Sequence, residues 1–102
     1  MINPKYTKLL SELTENGRAS MKVFGNSMTP IIYSGSVLTF EMCNKPELGD
    51  VVFCKVHGRY IDAHKVTCIS DRGYLISNNH GHDNGWTKQV FGRVVEVNGK
   101  SI

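Results

Sequence analysis

The spacing of apolar positions changes once along this chain. Near the start, Tyr6, Leu9, Leu10 and Leu13 recur at three- and four-residue intervals and share one helical face. Asn3-Pro4 reads as an N-cap followed by proline at the first helical position, and Gly17 closes the segment. The pattern predicts a helix over residues 4–16, within an N-terminal segment 1–17, packed as a lid; docking a partner is the other use of such a face. From Ala19 the period is two. Strands are predicted at 19–24, 36–42, 50–57, 60–69, 73–77 and 89–97. Turn residues separate them: Ser34-Gly35, Asn44-Lys45-Pro46, His57-Gly58-Arg59, Asp71-Arg72-Gly73 and Asn98-Gly99. His57-Gly58-Arg59 is short enough to join its two strands as a hairpin. Many short strands without helical crossovers predict a mainly β protein, a compact antiparallel sheet or partly closed barrel with one short N-terminal helix. The long polar stretch from Asn78 to Trp86 is predicted to be a loop, anchored by the Trp86 ring.

Composition narrows the class. At 102 residues the chain makes one domain, 1–102, with a β-domain over 19–99. A hydrophobic content of 40% with 21% charged residues fits a soluble globular protein. The net charge of +3 comes from scattered Lys and Arg with no basic stripe, which argues against a nucleic-acid partner. Cys43, Cys54 and Cys68 make an odd set without Cys-x-x-Cys spacing. Cys54 and Cys68 lie in strand-like runs and are expected to be buried free thiols, which places the protein in a reducing, cytoplasmic compartment. No run approaches the ~20 apolar residues of a membrane span, and no signal peptide is evident.

The candidate chemistry begins at Gly25-Asn26-Ser27-Met28-Thr29-Pro30, a proline-braced turn directly after a strand. Such a turn can present the Ser27 hydroxyl at a sheet edge, or it can be a structural corner with a hydrogen-bonded serine. Chemistry requires a base elsewhere. Four further boxes follow in order: Ser34-Gly35-Ser36-Val37-Leu38, Gly49-Asp50-Val51-Val52, Ala63-His64-Lys65-Val66 and Phe91-Gly92-Arg93-Val94-Val95. Together with Gly-x-Ser-Met-x-Pro they resemble the signal-peptidase and SOS-repressor serine peptidases over residues 19–99. The resemblance implies a compact all-β catalytic domain with Ser27 as nucleophile.

Side chains alternate along a strand, which puts Tyr60, Asp62, His64, Val66 and Cys68 on one face and Ile61, Ala63, Lys65, Thr67 and Ile69 on the other. Only one of His64 and Lys65 can then serve Ser27. Bacterial relatives use a lysine, which must be desolvated to act. His64-Lys65-Val66 looks like the His-Arg-Val of eukaryotic and archaeal signal peptidases, so His64 is the expected base and Lys65 the alternative. The separation 64 − 27 = 37 residues resembles the compact repressors. Histidine-type relatives carry an acid in a Gly-Asp-Asn box, and the resemblance makes Asp83 the expected third member, with Asp62 as the other acid to consider. It also implies an oxyanion donor at the Ser27 N–H. Signal peptidases add a hydroxyl two residues before the serine, and Gly25 has none. His80-x-His82 lacks the further ligands of a zinc site, so neither metal nor cofactor is expected. Asp50 is expected to shape a turn.

The function expected is a soluble serine endopeptidase cutting an extended peptide or protein segment in trans, held beside strand 19–24 by β-augmentation. Only 26 residues precede Ser27, too few for the upstream segment that self-cleaving repressors cut. The alternative is a catalytically silent peptide-binding module on the same fold. A DNA-linked repressor is disfavoured because no helix-turn-helix precedes the domain. The sequence does not indicate an oligomeric state.

Overall fold

A computed structural model describes residues 4–102; the Asn3 cap falls outside the described residues. Helix α1 spans Pro4–Asn16, as the spacing predicts, and ends where Gly17, at φ 74°, donates its N–H to the Leu13 carbonyl at 2.8 Å. Its apolar face is committed: Leu9 and Leu13 are buried, and Tyr6 stacks on Phe53 and Tyr60 at centroid distances of 6.2 and 5.5 Å. The helix is a lid over the sheet.

Among the described residues eight strands follow: β1 (Arg18–Lys22), β2 (Val37–Met42), β3 (Val51–Val56), β4 (Arg59–Ser70), β5 (Gly73–Ser77), β6 (Asp83–Thr87), β7 (Gln89–Val97) and β8 (Lys100–Ser101). All pairings are antiparallel, in the order β1-β2-β7-β3-β4-β5-β6, with β8 on β7. The sheet does not close, since β1 and β6 end the order. It does roll: the Thr87 hydroxyl on β6 donates to the Lys55 carbonyl on β3. The β3–β4 connection is a two-residue hairpin turn, with His57 and Gly58 both at positive φ (49° and 80°) and Val56 opposite Arg59.

Among the described residues there are two apolar clusters. The larger lies under α1 and gathers Leu9, Leu13, Val23, Met28, Ile32, Leu38, Phe40 and Phe53. The smaller, within the roll of β3–β6, contains Val52, Cys54, Val56, Val66, Ile76 and Val90.

The structure corrects the sequence reading at three points. The stretch 78–86 is not all loop, because Asp83–Thr87 forms strand β6 against β5. Cys68 is exposed, while Cys54 is buried and Cys43 half-buried; all three are free thiols. Strict alternation along β4 also fails. Val52 faces His64 and Cys54 faces Ile61, so β4 carries one extra residue between them. This bulge lets Tyr60 and Ala63 pack on the larger cluster, while Ile61 and Val66 pack on the smaller.

Candidate active site

The serine turn is rooted on both sides. Val23 N–H donates to the Ser36 carbonyl at 2.9 Å and Gly35 N–H to the Val23 carbonyl at 2.7 Å, closing the base of the 23–36 excursion. Within it, the Met28 carbonyl accepts the N–H groups of Ile31 and Ile32, both at 2.9 Å. Met28 and Ile32 are buried, 3% exposed each, and hold the turn to the larger cluster. Ser27, between Asn26 and Met28, is left half-buried with its hydroxyl free to face β4.

The residue it meets is His64. Nε2 lies 3.0 Å from Ser27 Oγ, and Nδ1 lies 2.6 Å from Asn84 Oδ1 on β6. A serine hydroxyl against one ring nitrogen, with the other ring nitrogen held by a third side chain, is an arrangement that can activate a serine. The profile of Peptidase S24-like proteins matches residues 3–102, nearly the whole chain. The chain belongs to the Peptidase S24-like family. Among curated proteins, no sequence matches it significantly.

Within this S24-like chain the other predicted residues occupy distinct places. Lys65 does not reach Ser27 Oγ; its Nζ donates to Asn79 Oδ1 at 3.0 Å. Asn79 in turn donates Nδ2 to the Thr29 carbonyl at 2.9 Å and its N–H to the Ser27 carbonyl at 2.8 Å. The lysine therefore braces the serine turn through an amide. Asp83, the acid expected beside His64, instead accepts the Ser77 hydroxyl at 2.7 Å, and Ser77 Oγ lies 2.8 Å from Thr67 Oγ1. Asn84, the next residue, holds the histidine. Asp62 lies 3.6 Å from Lys5 Nζ on α1. His80 Nε2 is 2.9 Å from the Asn26 carbonyl and 3.1 Å from Thr29 Oγ1, a second strut to the serine turn. Among the described residues no cluster of three or more His, Cys, Asp or Glu side chains could hold a metal. Asp50 accepts the Glu47 N–H at 2.9 Å, the turn-shaping role expected of it.

Sequence reasoning missed Asn84 and Asn79. The available signal was Asn84-Gly85, a dipeptide suited to irregular backbone inside a strand. Asn79 offered none, because its role depends on a turn 50 residues away.

Beside Ser27 is a pocket with ≈ 20 Å³ of free volume, walled by Val23, Met28, Ile32 and Ala63, with Asp62 also on its lining. Phe24 stands at its rim, 68% exposed. Burial first, and the Asp62 carboxylate second, push the Cys54 thiol up to about 12, leaving it protonated and unreactive near neutrality.

Proposed function

We propose that this chain is a serine peptidase that cleaves an extended peptide, with Ser27 as nucleophile and His64 as general base. The observation carrying this reading is the 3.0 Å approach of Ser27 Oγ to His64 Nε2. The imidazole takes the hydroxyl proton as Oγ bonds to the scissile carbonyl carbon. The resulting oxyanion is stabilised by backbone donors, the Ser27 N–H first among them. His64 then passes the proton to the leaving amine as the C–N bond breaks, and water resolves the acyl-enzyme by the same steps.

Two unpaired backbone edges support the substrate class. β1 ends the sheet order, and β4 pairs with β5 only from Lys65 onward, which leaves the β5-side edge of residues 60–63 without a strand partner. Val23 to Gly25, which follow β1 directly, and Asp62 to Ala63 on β4 border the pocket at Ser27. A peptide laid between them gains ladder hydrogen bonds from both sides. The pocket admits only a small side chain at the position it receives. The free thiols fit a reducing compartment such as the cytoplasm.

A fluorophosphonate probe tests the reading, because it reacts with an activated serine and spares ordinary ones. Mass spectrometry is expected to find the adduct on Ser27, absent from a Ser27→Ala variant of equal melting temperature. An unlabelled wild-type chain would assign the same fold to peptide binding without cleavage.

A further inference from the structure

Strand pairing sets Asn84 apart. Ile76 faces Gly85 and Ser77 faces Asp83, so adjacent residues of β5 oppose residues two apart on β6, and Asn84 is the extra one. A bulged residue leaves the regular ladder and its side chain is re-aimed. Both neighbours fix the aim. Asp83 is tied to Ser77, and through it to Thr67, itself the extra residue where Val66 faces Ile76 and Cys68 faces Leu75. Gly85 sits at φ 133°, where a Cβ would come within 2.7 Å of His57 Nε2 and 3.2 Å of Val56 Cγ1. Between these anchors the Asn84 amide oxygen lies 2.6 Å from His64 Nδ1.

We infer that Asn84 is a positioning residue of the hydrolytic site: its side-chain oxygen holds the His64 proton on Nδ1 and leaves the Nε2 lone pair facing the Ser27 hydroxyl. The inference rests on the peptidase reading and supplies the third member that reading lacks. A neutral imidazole has one donor nitrogen and one acceptor nitrogen. An amide oxygen only accepts, so Nδ1 must donate to it. Nε2, 3.0 Å from Ser27 Oγ, is then the acceptor a general base requires. The opposite tautomer would set the Nδ1 lone pair against that oxygen at 2.6 Å. An amide performs this orientation without a negative charge. The one carboxylate adjacent in sequence, Asp83, is engaged by Ser77. Asn84→Asp therefore keeps an acceptor and adds a charge that favours the imidazolium formed in the reaction, whereas Asn84→Ala removes the acceptor.

Imidazole nitrogen NMR of the full chain at alkaline pH reads which ring nitrogen carries the proton, without turnover. The wild type and Asn84→Asp are expected to hold it on Nδ1, and Asn84→Ala to show a mixture. Fluorophosphonate labelling of Ser27 is expected to slow about 10²-fold in Asn84→Ala, within the range of a lost general-base contribution. Asn84→Asp should label at least as fast as the wild type, and all three should melt alike. A wild-type His64 protonated on Nε2 overturns the inference, and that spectrum needs no variant to fold. Undiminished labelling of Asn84→Ala also overturns it. An Nδ1-protonated His64 beside a wild-type Ser27 that never labels overturns the peptidase reading instead, and leaves standing only that Asn84 sets the His64 tautomer.

Discussion

His64 and Lys65 are neighbours in β4 and do different work at one turn: the imidazole meets the Ser27 hydroxyl, and the ammonium meets the Asn79 amide that bonds the Ser27 and Thr29 carbonyls. Their variants should separate accordingly. On the peptidase reading His64→Ala removes the base, and it is expected to slow Ser27 labelling by about 10²–10⁴-fold. Lys65→Ala loses one brace, worth roughly 1 kcal/mol, and should slow it by no more than about tenfold. A fast His64→Ala beside an unreactive Lys65→Ala would transfer the base assignment to the lysine. The Ser27–His64 contact was legible because each residue lies in a short box whose residue types and order resemble the family's. The residue on the second ring nitrogen was legible only to within one position. Asp83 is the acid the pattern points to, but the bulge turns Asn84 toward the ring, and a bulge depends on strand pairing that no local pattern encodes.

Among the elements, α1, β1 and β2 follow the apolar period closely, because each buries one face against the larger cluster; β3 is buried on both faces and β4 changes face at its bulge. β6 was hidden because Asp83, Asn84 and Gly85 are poor strand formers; it exists because β5 offers it a ladder. The exposure of Cys68 has a related cause. β4 outruns the core after Val66, and Thr67 to Ser70 are all exposed, so its outer end keeps the strand pattern without the burial. The helix packs closely on the sheet. Leu13 is 1% exposed, and its Cδ1 lies 3.0 Å from where a Cβ would stand on Gly92 of β7. Leu13→Ala is expected to destabilise the fold by about 2–5 kcal/mol in urea titrations, since helix and strand cannot close further over the cavity. A loss under about 1 kcal/mol would mean that α1 is not a structural lid.

For the molecule as a whole, the buried Cys54 thiol sets an alkaline limit on stability. Burial and Asp62 raise it from the ordinary 9.0 to about 12, and the Tyr6 hydroxyl is raised above 10.0 by burial and the same carboxylate. Both groups ionise more readily in the unfolded chain, so their contribution is fully present below about pH 9 and is lost as pH climbs toward about 12. The urea midpoint should fall over that interval, and Cys54→Ala should flatten the fall. A midpoint falling equally in both proteins would exclude the thiol as its cause. The open sheet has a different consequence. The order ends at β1, and residues 60–63 of β4 have no strand on their β5 side among the described residues, so there is backbone near Ser27 that a further strand could pair with. On the peptidase reading, substrate is that strand for as long as it stays whole. Cutting it at Ser27 divides one ladder into two shorter ones, each gripped by fewer backbone bonds than the intact peptide. Turnover then loosens its own products, and release needs no separate moving part.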